Sequence, residues 1–190
     1  MHFGMTGDLK YYKNAEDEPD YEQVSFHFEN GYQLGYLMPR KLGEIRILDS
    51  VDEFLEEKKL GPDVLEVDFD EFCELLSGRR GMIKTTLMNQ EVMAGVGNVY
   101  SDEILFQARV YPRAQISDLN RKQLRAVYDA MREVLETVIK RKANPEDFPE
   151  SFLIPHRSEG KTCPRCKSKI QRIKVSGRSG YYCPHCQVND

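Results

Sequence analysis

Four of the five cysteines in this 190-residue chain form two CxxC pairs near its end, Cys163/Cys166 and Cys183/Cys186. Each pair can point two thiolates at one metal ion, and two pairs complete the closed tetrahedron that is typical of structural zinc. The spacing therefore predicts one structural Zn²⁺ with these four ligands, and a redox pair or a disulfide is the alternative. His185 lies inside the second pair and is not expected to bind the metal, because four sulfurs suffice.

The stretch between the pairs, KSKIQRIKVSGRSGYY, is basic and carries alternating apolar residues. Ile170, Ile173 and Val175 predict two short strands joined near Gly177. Arg178 would then lie at or near the tip of a hairpin, where a guanidinium can reach a groove or a phosphate. An exposed arginine without a role fits the same pattern.

Upstream, the sequence MAGVGNVYSDE places two glycines directly before a helical pattern that starts at Asn98 and continues toward Pro112. Such a turn can bring backbone N–H groups and a helix N-terminus close to an anion, and the Asn98 amide would add a donor. A tight turn between two helices explains the same residues equally well.

The rest of the chain supplies elements that could position these residues. Residues 1–50 read as strands, with a hairpin at Asn30-Gly31 between VSFHFEN and YQLGYLM. Two helices follow, separated at Gly61-Pro62, and then a short helix near Ile83. Ser117 is a candidate N-cap for a long helix. Its apolar stripe consists of Leu124, Val127, Met131, Val134, Leu135 and Val138. Residues 143–160 contain three prolines and read as a linker.

The charge is distributed unevenly along the chain. The net charge is −4, but residues 1–78 carry −12, residues 79–150 carry +2 and residues 151–190 carry +6. A basic end on an acidic body can hold a phosphate backbone, and a solvated tail is the alternative. No apolar run is long enough for a membrane helix, and MHFGMTGDLK lacks the pattern of a secretion signal. We therefore expect a cytoplasmic location, at the nucleoid if the ligand is DNA. The lone Cys73 is expected to be a buried packing residue.

Read together, LMNQEVMAGVGNVYSDEILF and GRSGYYCPHCQ resemble the formamidopyrimidine-DNA glycosylase / endonuclease VIII (Fpg/Nei) family. The first is similar to that family's helix–two-turn–helix motif and the second to the end of its zinc finger. HFGMTGDL and MPRKLGEI also resemble family segments, from the later strands of its N-terminal β-sandwich. The resemblance implies an α+β fold with a partial β-sandwich remnant at 1–50, a helical helix–two-turn–helix domain at 51–150 and a linker with a zinc ribbon at 151–190.

The resemblance also implies residue roles. Family members bend DNA, flip a damaged nucleotide out of the stack and fill the gap with side chains. By position, Met5 corresponds to an inserted methionine and Arg40 to the arginine opposite the orphaned base. Leu42 stands where many members insert a phenylalanine. The remaining matches are expected to contact the DNA backbone, and these are Lys84, Asn98 and Arg178. Without the resemblance, Met5 and Leu42 would be read as core residues.

The chain departs from the family at the catalytic residues. The family nucleophile is an N-terminal proline followed by a glutamate, as in PELPEVE, whereas MHFGMTG corresponds to a point inside the family's first domain. A family lysine on an early strand hairpin and a loop that closes over oxidised purines have no counterpart either. No catalytic residue is therefore assigned. An open sheet edge in the reduced sandwich predicts association with a second copy or with a partner.

Four functions stay open at this point. The first is a protein that binds damaged, abasic or distorted duplex DNA without excising a base. The second is an abasic-site lyase that uses another amine, such as the Met1 α-amine or Lys84. The third is an ordinary glycosylase of which this chain is a fragment. The fourth is a zinc ribbon that binds RNA or protein, which fits the last residues but not the helix–two-turn–helix segment.

Overall fold

The computed structural model describes residues 1–4 and 6–188, so Met5 lies outside the described residues. The described residues contain five strands: β1 (Asp8–Tyr12), β2 (Glu22–His27), β3 (Gln33–Leu37), β4 (Gln171–Val175) and β5 (Arg178–Tyr182). They contain five α-helices: α1 (Val51–Lys58), α2 (Phe69–Leu76), α3 (Ile83–Leu87), α4 (Asn98–Ala108) and α5 (Arg121–Lys140). The chain divides into two compact units, Met1–Phe54 and Leu55–Asp190.

The first unit is built on a three-stranded antiparallel sheet with the strand order β1-β3-β2. The predicted hairpin at Asn30-Gly31 is confirmed, since β2 and β3 pair from His27↔Gln33 onward. Asn30 Oδ1 accepts a hydrogen bond from the Tyr32 amide at 3.0 Å, and Gly31 adopts a φ of 80°. This left-handed conformation is one that glycine adopts without steric cost.

Strands β1 and β2 are the edges of this sheet, each hydrogen-bonded to β3. Several apolar side chains on these strands are partly exposed, among them Leu9, Tyr11 and Val24. Open edges and exposed apolar side chains favour association with another chain. The predicted dimer or covering partner stays a prediction.

The second unit has its core between α2, α4 and α5. The predicted stripe on α5 is confirmed over most of its length, because Val127, Met131, Val134, Leu135 and Val138 are buried. The expectation that Ser117 caps this helix is wrong. Ser117 lies in a short 3₁₀ turn, and Asn120 forms the N-cap instead. Asn120 and Gln123 make a reciprocal capping box, with side chain to backbone distances of 3.0 and 2.9 Å, which satisfies two amides that the helix start leaves open.

Helix α2 packs on α5 through aromatic side chains. The rings of Phe72 and Tyr128 lie 5.7 Å apart, and the Tyr128 hydroxyl donates to the Val67 carbonyl at 3.1 Å. Cys73 follows Phe72 on the same helix but is only half-buried. The expectation of a buried cysteine is therefore wrong, because the neighbouring Phe72 rather than Cys73 faces the core.

Helix α4 lies at the centre of this unit, between α5 and β5. Its residues from Ser101 to Phe106 are all buried, as expected of a helix that is covered on several sides. Residues 143–160, read from the sequence as a linker, are also anchored, since Phe148, Phe152 and Leu153 are buried. Three prolines therefore mark an ordered connection here and not a loose one.

Strands β4 and β5 form the predicted hairpin before the second CxxC pair. Val175 pairs with Arg178, so the turn consists of Ser176 and Gly177, whose φ angles are 47° and 81°. Two positive φ angles are typical of a type I′ turn, which suits a two-residue hairpin. Among the described residues, no helix is both long and apolar enough to span a membrane.

Candidate DNA interface and metal centre

The four predicted zinc ligands come together at the base of the β4–β5 hairpin. Their sulfur atoms all lie within 4.8 Å of one another, with 3.4 Å between Cys166 and Cys183 and 4.0 Å between Cys163 and Cys186. A tetrahedral zinc with bonds of about 2.3 Å separates its sulfurs by about 3.8 Å, so the cluster fits one such ion. Four protein sulfurs leave no position for water, which makes this a structural site.

The chemistry of the cluster also fits a cation. Burial raises the pKa of the Cys183 and Cys186 thiols, so these two sulfurs resist ionisation when no positive charge is near them. At Cys166 burial is outweighed by hydrogen bonds, first from Ser168, which lower the pKa to about 6. A divalent cation removes that resistance, because a coordinating thiol is deprotonated by the metal. Few apolar residues support the ribbon: Phe106, Leu153 and Ile170 pack with Cys163 and Cys183, and Ile173 and Val175 are buried on β4. Metal binding is therefore expected to supply much of its folding free energy.

Near the cysteine cluster, hydrogen bonds join the ribbon to the last residues of α4 and to the residues that follow it. Arg165 donates to the Phe106 carbonyl and to Gln107 Oε1, both at 2.9 Å. Gln187 is buried and donates to the Val110 carbonyl at 3.0 Å, while its own oxygen accepts from the Cys183 amide at 2.9 Å. The metal site is thereby fixed to the C-terminal end of α4.

A buried ionic cluster joins α3, α4, the connecting segment and β5. Asp102 on α4 is fully buried and lies 2.6 Å from the Lys84 ammonium. Its other oxygen accepts from Arg157 Nε at 2.9 Å and from the Tyr181 amide at 3.1 Å. One carboxylate thus holds two cations and one strand of the ribbon. Such a buried charge is tolerated only when it is paired and hydrogen-bonded, and here it is both.

Lys84 occupies a different environment from the one expected of a residue that contacts DNA. Its side chain is fully buried, and its ammonium donates to Asp102, to Ser101 Oγ at 2.9 Å and to the Asn98 carbonyl at 3.1 Å. These three bonds use all three donors of an ammonium group. Burial lowers the pKa of Lys84, and the nearby Asp102 carboxylate opposes that shift. A direct backbone contact would require Lys84 to give up one of its internal bonds.

Asn98 is the first residue of α4 and follows the extended Gly97. Its Nδ2 donates to the Ser179 carbonyl on β5 at 2.9 Å, whereas its Oδ1 is buried and has no partner among the described residues. Gly95, earlier in the same turn, has a φ of 113° and packs against Val64. The glycine-rich turn therefore brings the helix start against the ribbon. The orientation of an Asn amide follows from its hydrogen bonds, so an incoming acceptor or donor could reverse it.

Arg178 is exposed and opens β5, beside the tip of the hairpin. Its Nη1 lies 3.7 Å from Met88 Sδ just after α3, which leaves the remaining guanidinium donors available for a ligand. The hydroxyls of Thr85 and Ser176 are 2.8 Å apart and join α3 to the hairpin tip. Lys84, Asn98 and Arg178 are thus gathered around α3 and β5 within one unit.

In the first unit, Arg40 and Leu42 lie after β3, and both are exposed. Leu42 is 56% exposed, so the structure does not support reading it as a core residue. Its backbone approaches that of Gly4, and the neighbouring His2 and Glu44 form a β-bridge with bonds of 2.8 and 3.0 Å. The HFGMTG and PRKLG segments are therefore adjacent, although Met5 itself is outside the described residues.

Sequence reasoning missed Asp102 and Arg157, the residues that fix the ribbon to α4. One signal was available, because the acidic pair Asp102-Glu103 directly precedes the apolar run ILF inside a helix. A buried carboxylate requires a cation or donors nearby. Glu103 meets this need with bonds from the Ile154 amide at 2.8 Å and from Gln107 at 2.7 Å. Burial nevertheless raises the pKa of Glu103.

Three parts of the chain match the domains of known proteins. Residues 1–45 match the formamidopyrimidine-DNA glycosylase N-terminal domain, residues 60–148 its H2TH domain, and residues 160–188 the zinc finger found in FPG and IleRS. The chain is 36% identical to the formamidopyrimidine-DNA glycosylase of Pelotomaculum thermopropionicum over 98% of its own length and 73% of that protein. It is 34% identical to the Streptococcus pneumoniae enzyme of that name, over all of this chain and 74% of that protein.

The fold is also similar to solved structures of formamidopyrimidine-DNA glycosylases. The Lactococcus lactis formamidopyrimidine-DNA glycosylase, non-covalently bound to DNA that contains an abasic site, superposes with a TM-score of 0.85 at 29% identity. The match covers 99% of this chain and 73% of that one. A complex of MutM with DNA containing carbocyclic 8-oxo-G superposes with a TM-score of 0.81 at 30% identity, over 97% and 72% of the two chains.

Proposed function

This chain belongs to the formamidopyrimidine-DNA glycosylase family, and we propose that its 190 residues bind duplex DNA at abasic or damaged nucleotides without the nucleophilic chemistry of an N-terminal proline. The relatives it superposes on were solved with DNA of this kind. The same proposal places the protein in the cytoplasm, at the nucleoid, where such DNA is found.

The observation that carries the proposal is the contact between Asn98 and the hairpin. Asn98 Nδ2 is 2.9 Å from the Ser179 carbonyl, and Arg178 precedes Ser179 on the same strand. The helix start and the ribbon can therefore present their donors to one ligand from a fixed arrangement. Hydrogen bonds from such donors to DNA phosphates position a protein on the duplex, and they carry no information about the base sequence.

Charge supports the same ligand. The segment that holds both donors, residues 79–190, carries a net charge of +8, whereas residues 1–78 carry −12. The difference favours approach of a polyanion to the helical and ribbon parts of the chain. In the first unit, Arg40 and Leu42 are exposed, and the family resemblance implies gap-filling roles for both. Met5 is proposed for the same role.

A Schiff base on the flipped sugar needs an accessible amine, and these 190 residues contain no counterpart of the family's PELPEVE segment. Lys84 is a poor substitute, even though burial lowers its pKa, because its ammonium is fully buried and its three donors are occupied. Met1, the other residue considered for this role, is 57% exposed.

A glycosylase or abasic-site lyase is the second candidate. The relatives at 36% and 34% identity carry the name formamidopyrimidine-DNA glycosylase, and this chain covers about three quarters of their length. In that case these residues act as part of a longer chain or use a surrogate amine.

A competition assay tests the binding proposal. Labelled duplex with one central tetrahydrofuran abasic-site analogue is bound to the zinc-loaded protein and displaced by unlabelled duplex, either with or without the analogue. We expect the abasic competitor to displace the label at a lower concentration than intact DNA of the same sequence. Equal displacement by both, or no binding of either, would contradict the proposal.

A further inference from the structure

A second group of donor side chains lies outside the Asn98–Arg178 pair. It lines a cavity of about 340 Å³ formed by Arg79, Arg80, Thr85, Thr86, Asn89 and Val92. We propose that this cavity, called here the α3 cavity, binds a backbone phosphate of the DNA, separate from the phosphates assigned to Asn98 and Arg178. The inference rests on the proposed function and adds one contact to it.

The loop that carries the two arginines is held in place at both ends. The Arg79 amide donates to the Leu76 carbonyl at 3.2 Å, and Arg79 Nε donates to the Leu75 carbonyl at 2.6 Å. At the other end, the Ile116 amide donates to the Gly81 carbonyl at 3.0 Å. Little backbone freedom is therefore lost when a ligand binds, which favours binding by a loop that is already ordered.

The donors in the α3 cavity match an anion. Arg80 is exposed and forms no hydrogen bond or ion pair with residues 1–4 or 6–188. Asn89 uses its Oδ1 to accept from the Glu91 amide at 3.0 Å, so its Nδ2 remains as a donor. An arginine fork and an amide N–H are groups that commonly bind phosphate oxygens. The cavity wall is formed by arginine, threonine, asparagine and valine, without a carboxylate.

A neighbouring cavity shows the contrast. That cavity is larger, about 530 Å³, but Glu71 and Glu74 line it together with Arg79. Two carboxylates would repel a phosphate and cancel the charge of one arginine. The α3 cavity therefore suits an anion better than the cavity with the two glutamates. Both arginines also line a third cavity, of about 400 Å³ beside Ser117, but Arg80 does not line the one with Glu71 and Glu74, so Arg80 is the better residue to substitute.

The position of the α3 cavity lets one duplex contact it together with Arg178. Thr85 lines the cavity and contacts Ser176 at the hairpin tip, while Arg178 contacts Met88 just after α3. The two sites are thus separated by about the width of one helix, on the order of 10 Å. One turn of duplex DNA is about 34 Å long, so both sites fall within a single turn.

The test is the salt dependence of DNA binding. Dissociation constants are measured over a salt series for the wild type, Arg80→Ala and Arg80→Lys, with the tetrahydrofuran duplex as the probe. Lys122→Ala is the matched control, because Lys122 is also an exposed cation of this unit but does not line the cavity. Zinc content and thermal midpoint are checked for each variant, so that a loss of fold is recognised.

Loss of one phosphate contact should reduce the slope of log K against log salt by about 0.9. We expect this reduction for Arg80→Ala, with binding weakened by about threefold to tenfold, and a slope near that of the wild type for Arg80→Lys and Lys122→Ala. Identical slopes for Arg80→Ala and Lys122→Ala would overturn the proposal that the α3 cavity binds a phosphate, while the proposed function would stand. Absence of DNA binding by the wild type would overturn both.

Discussion

The ammonium of Lys84 and the carboxylate of Asp102 lie 2.6 Å apart with both side chains fully buried. Arg157 reaches the same carboxylate from the connecting segment at 2.8 Å, so Asp102 serves two cations. This cluster joins the helix–two-turn–helix part of the chain to the zinc ribbon. It therefore determines how the Asn98 and Arg178 donors are arranged.

Removing the charge of Asp102 should destabilise the second unit strongly. Asp102→Asn leaves the buried Lys84 and the half-buried Arg157 without their counter-ion, and breaking a buried pair from one side typically costs about 3–5 kcal/mol. Urea unfolding of the zinc-loaded protein measures the change. Asp129→Asn, at an exposed pair with Arg125, is the control and should change the free energy of unfolding by about 0.5 kcal/mol or less. Equal effects of the two substitutions would contradict the role assigned to Asp102.

Glu103 predicts a pH dependence of stability. Burial raises its pKa in the folded protein above the ordinary value of 4.5, so the folded state binds this proton more tightly than the unfolded state does. Protonated Glu103 therefore contributes fully to the free energy of unfolding at pH values below 4.5. This contribution is lost as the pH rises through the higher pKa that Glu103 has in the folded protein. Glu103→Gln cannot ionise and lacks this loss.

The measurement is the free energy of unfolding of Glu103→Gln minus that of the wild type, over the pH range in which both proteins retain zinc. This difference should become more positive as the pH rises from about 4.5 toward neutrality. The titration of all other groups is common to both proteins and cancels. A difference that is flat or falls with pH would show that Glu103 is not destabilised in its ionised form.

The residues proposed to contact the DNA backbone and those proposed to fill the gap in the duplex should respond differently to DNA damage. Arg178→Ala removes a contact to the backbone, so it should weaken binding to intact and abasic duplexes by the same factor, about threefold to tenfold. Leu42→Ala removes an exposed apolar side chain and should weaken binding to the abasic duplex only. Anisotropy titrations of the wild type and both variants with both duplexes give the six dissociation constants.

Ile47→Ala is the matched control for Leu42→Ala. Ile47 is 99% exposed in the same unit and has no assigned role, so its truncation should leave both constants unchanged. If Leu42→Ala and Ile47→Ala behave alike, Leu42 does not enter the gap in the duplex.

Metal removal should separate the ribbon from the helical core. Among the described residues, the buried non-cysteine members of the ribbon's apolar cluster are Phe106, Leu153 and Ile170, with Tyr181 packed against them. The helical core includes Phe72, Met131 and many further buried residues. Chelation should therefore remove the amide exchange protection of β4 and β5, while α5 retains its protection. DNA binding should be lost together with the hairpin. One zinc per chain should restore both, and a stoichiometry other than one would contradict the four-cysteine site.

Local features were predictable from the sequence, whereas long-range contacts were not. The CxxC pairs, the Asn30-Gly31 turn and the start of α4 at Asn98 each depend on residues close in the chain, and the structure agrees with them. Ser117 and Asn120 are both good capping residues, and the choice between them depends on the reciprocal bond from Gln123.

The burial of Lys84 could not be read from its basic surroundings. Its partner Asp102 is 18 residues away and Arg157 lies 55 residues beyond Asp102, so only the tertiary fold brings the three together. The anchoring of residues 143–160 has the same origin, because Phe152 and Leu153 find their contacts on distant elements. A proline-rich composition indicates where helices stop and does not indicate whether the segment packs.

The most direct test of the central claim combines binding with trapping on one substrate. The zinc-loaded 190-residue protein is incubated with duplex containing a natural abasic site, with and without borohydride, and a denaturing gel is read beside an anisotropy titration. Our account predicts saturable binding with neither a trapped adduct nor strand cleavage. A covalent adduct or a cleaved strand would contradict it and would show that an amine within these residues performs the chemistry.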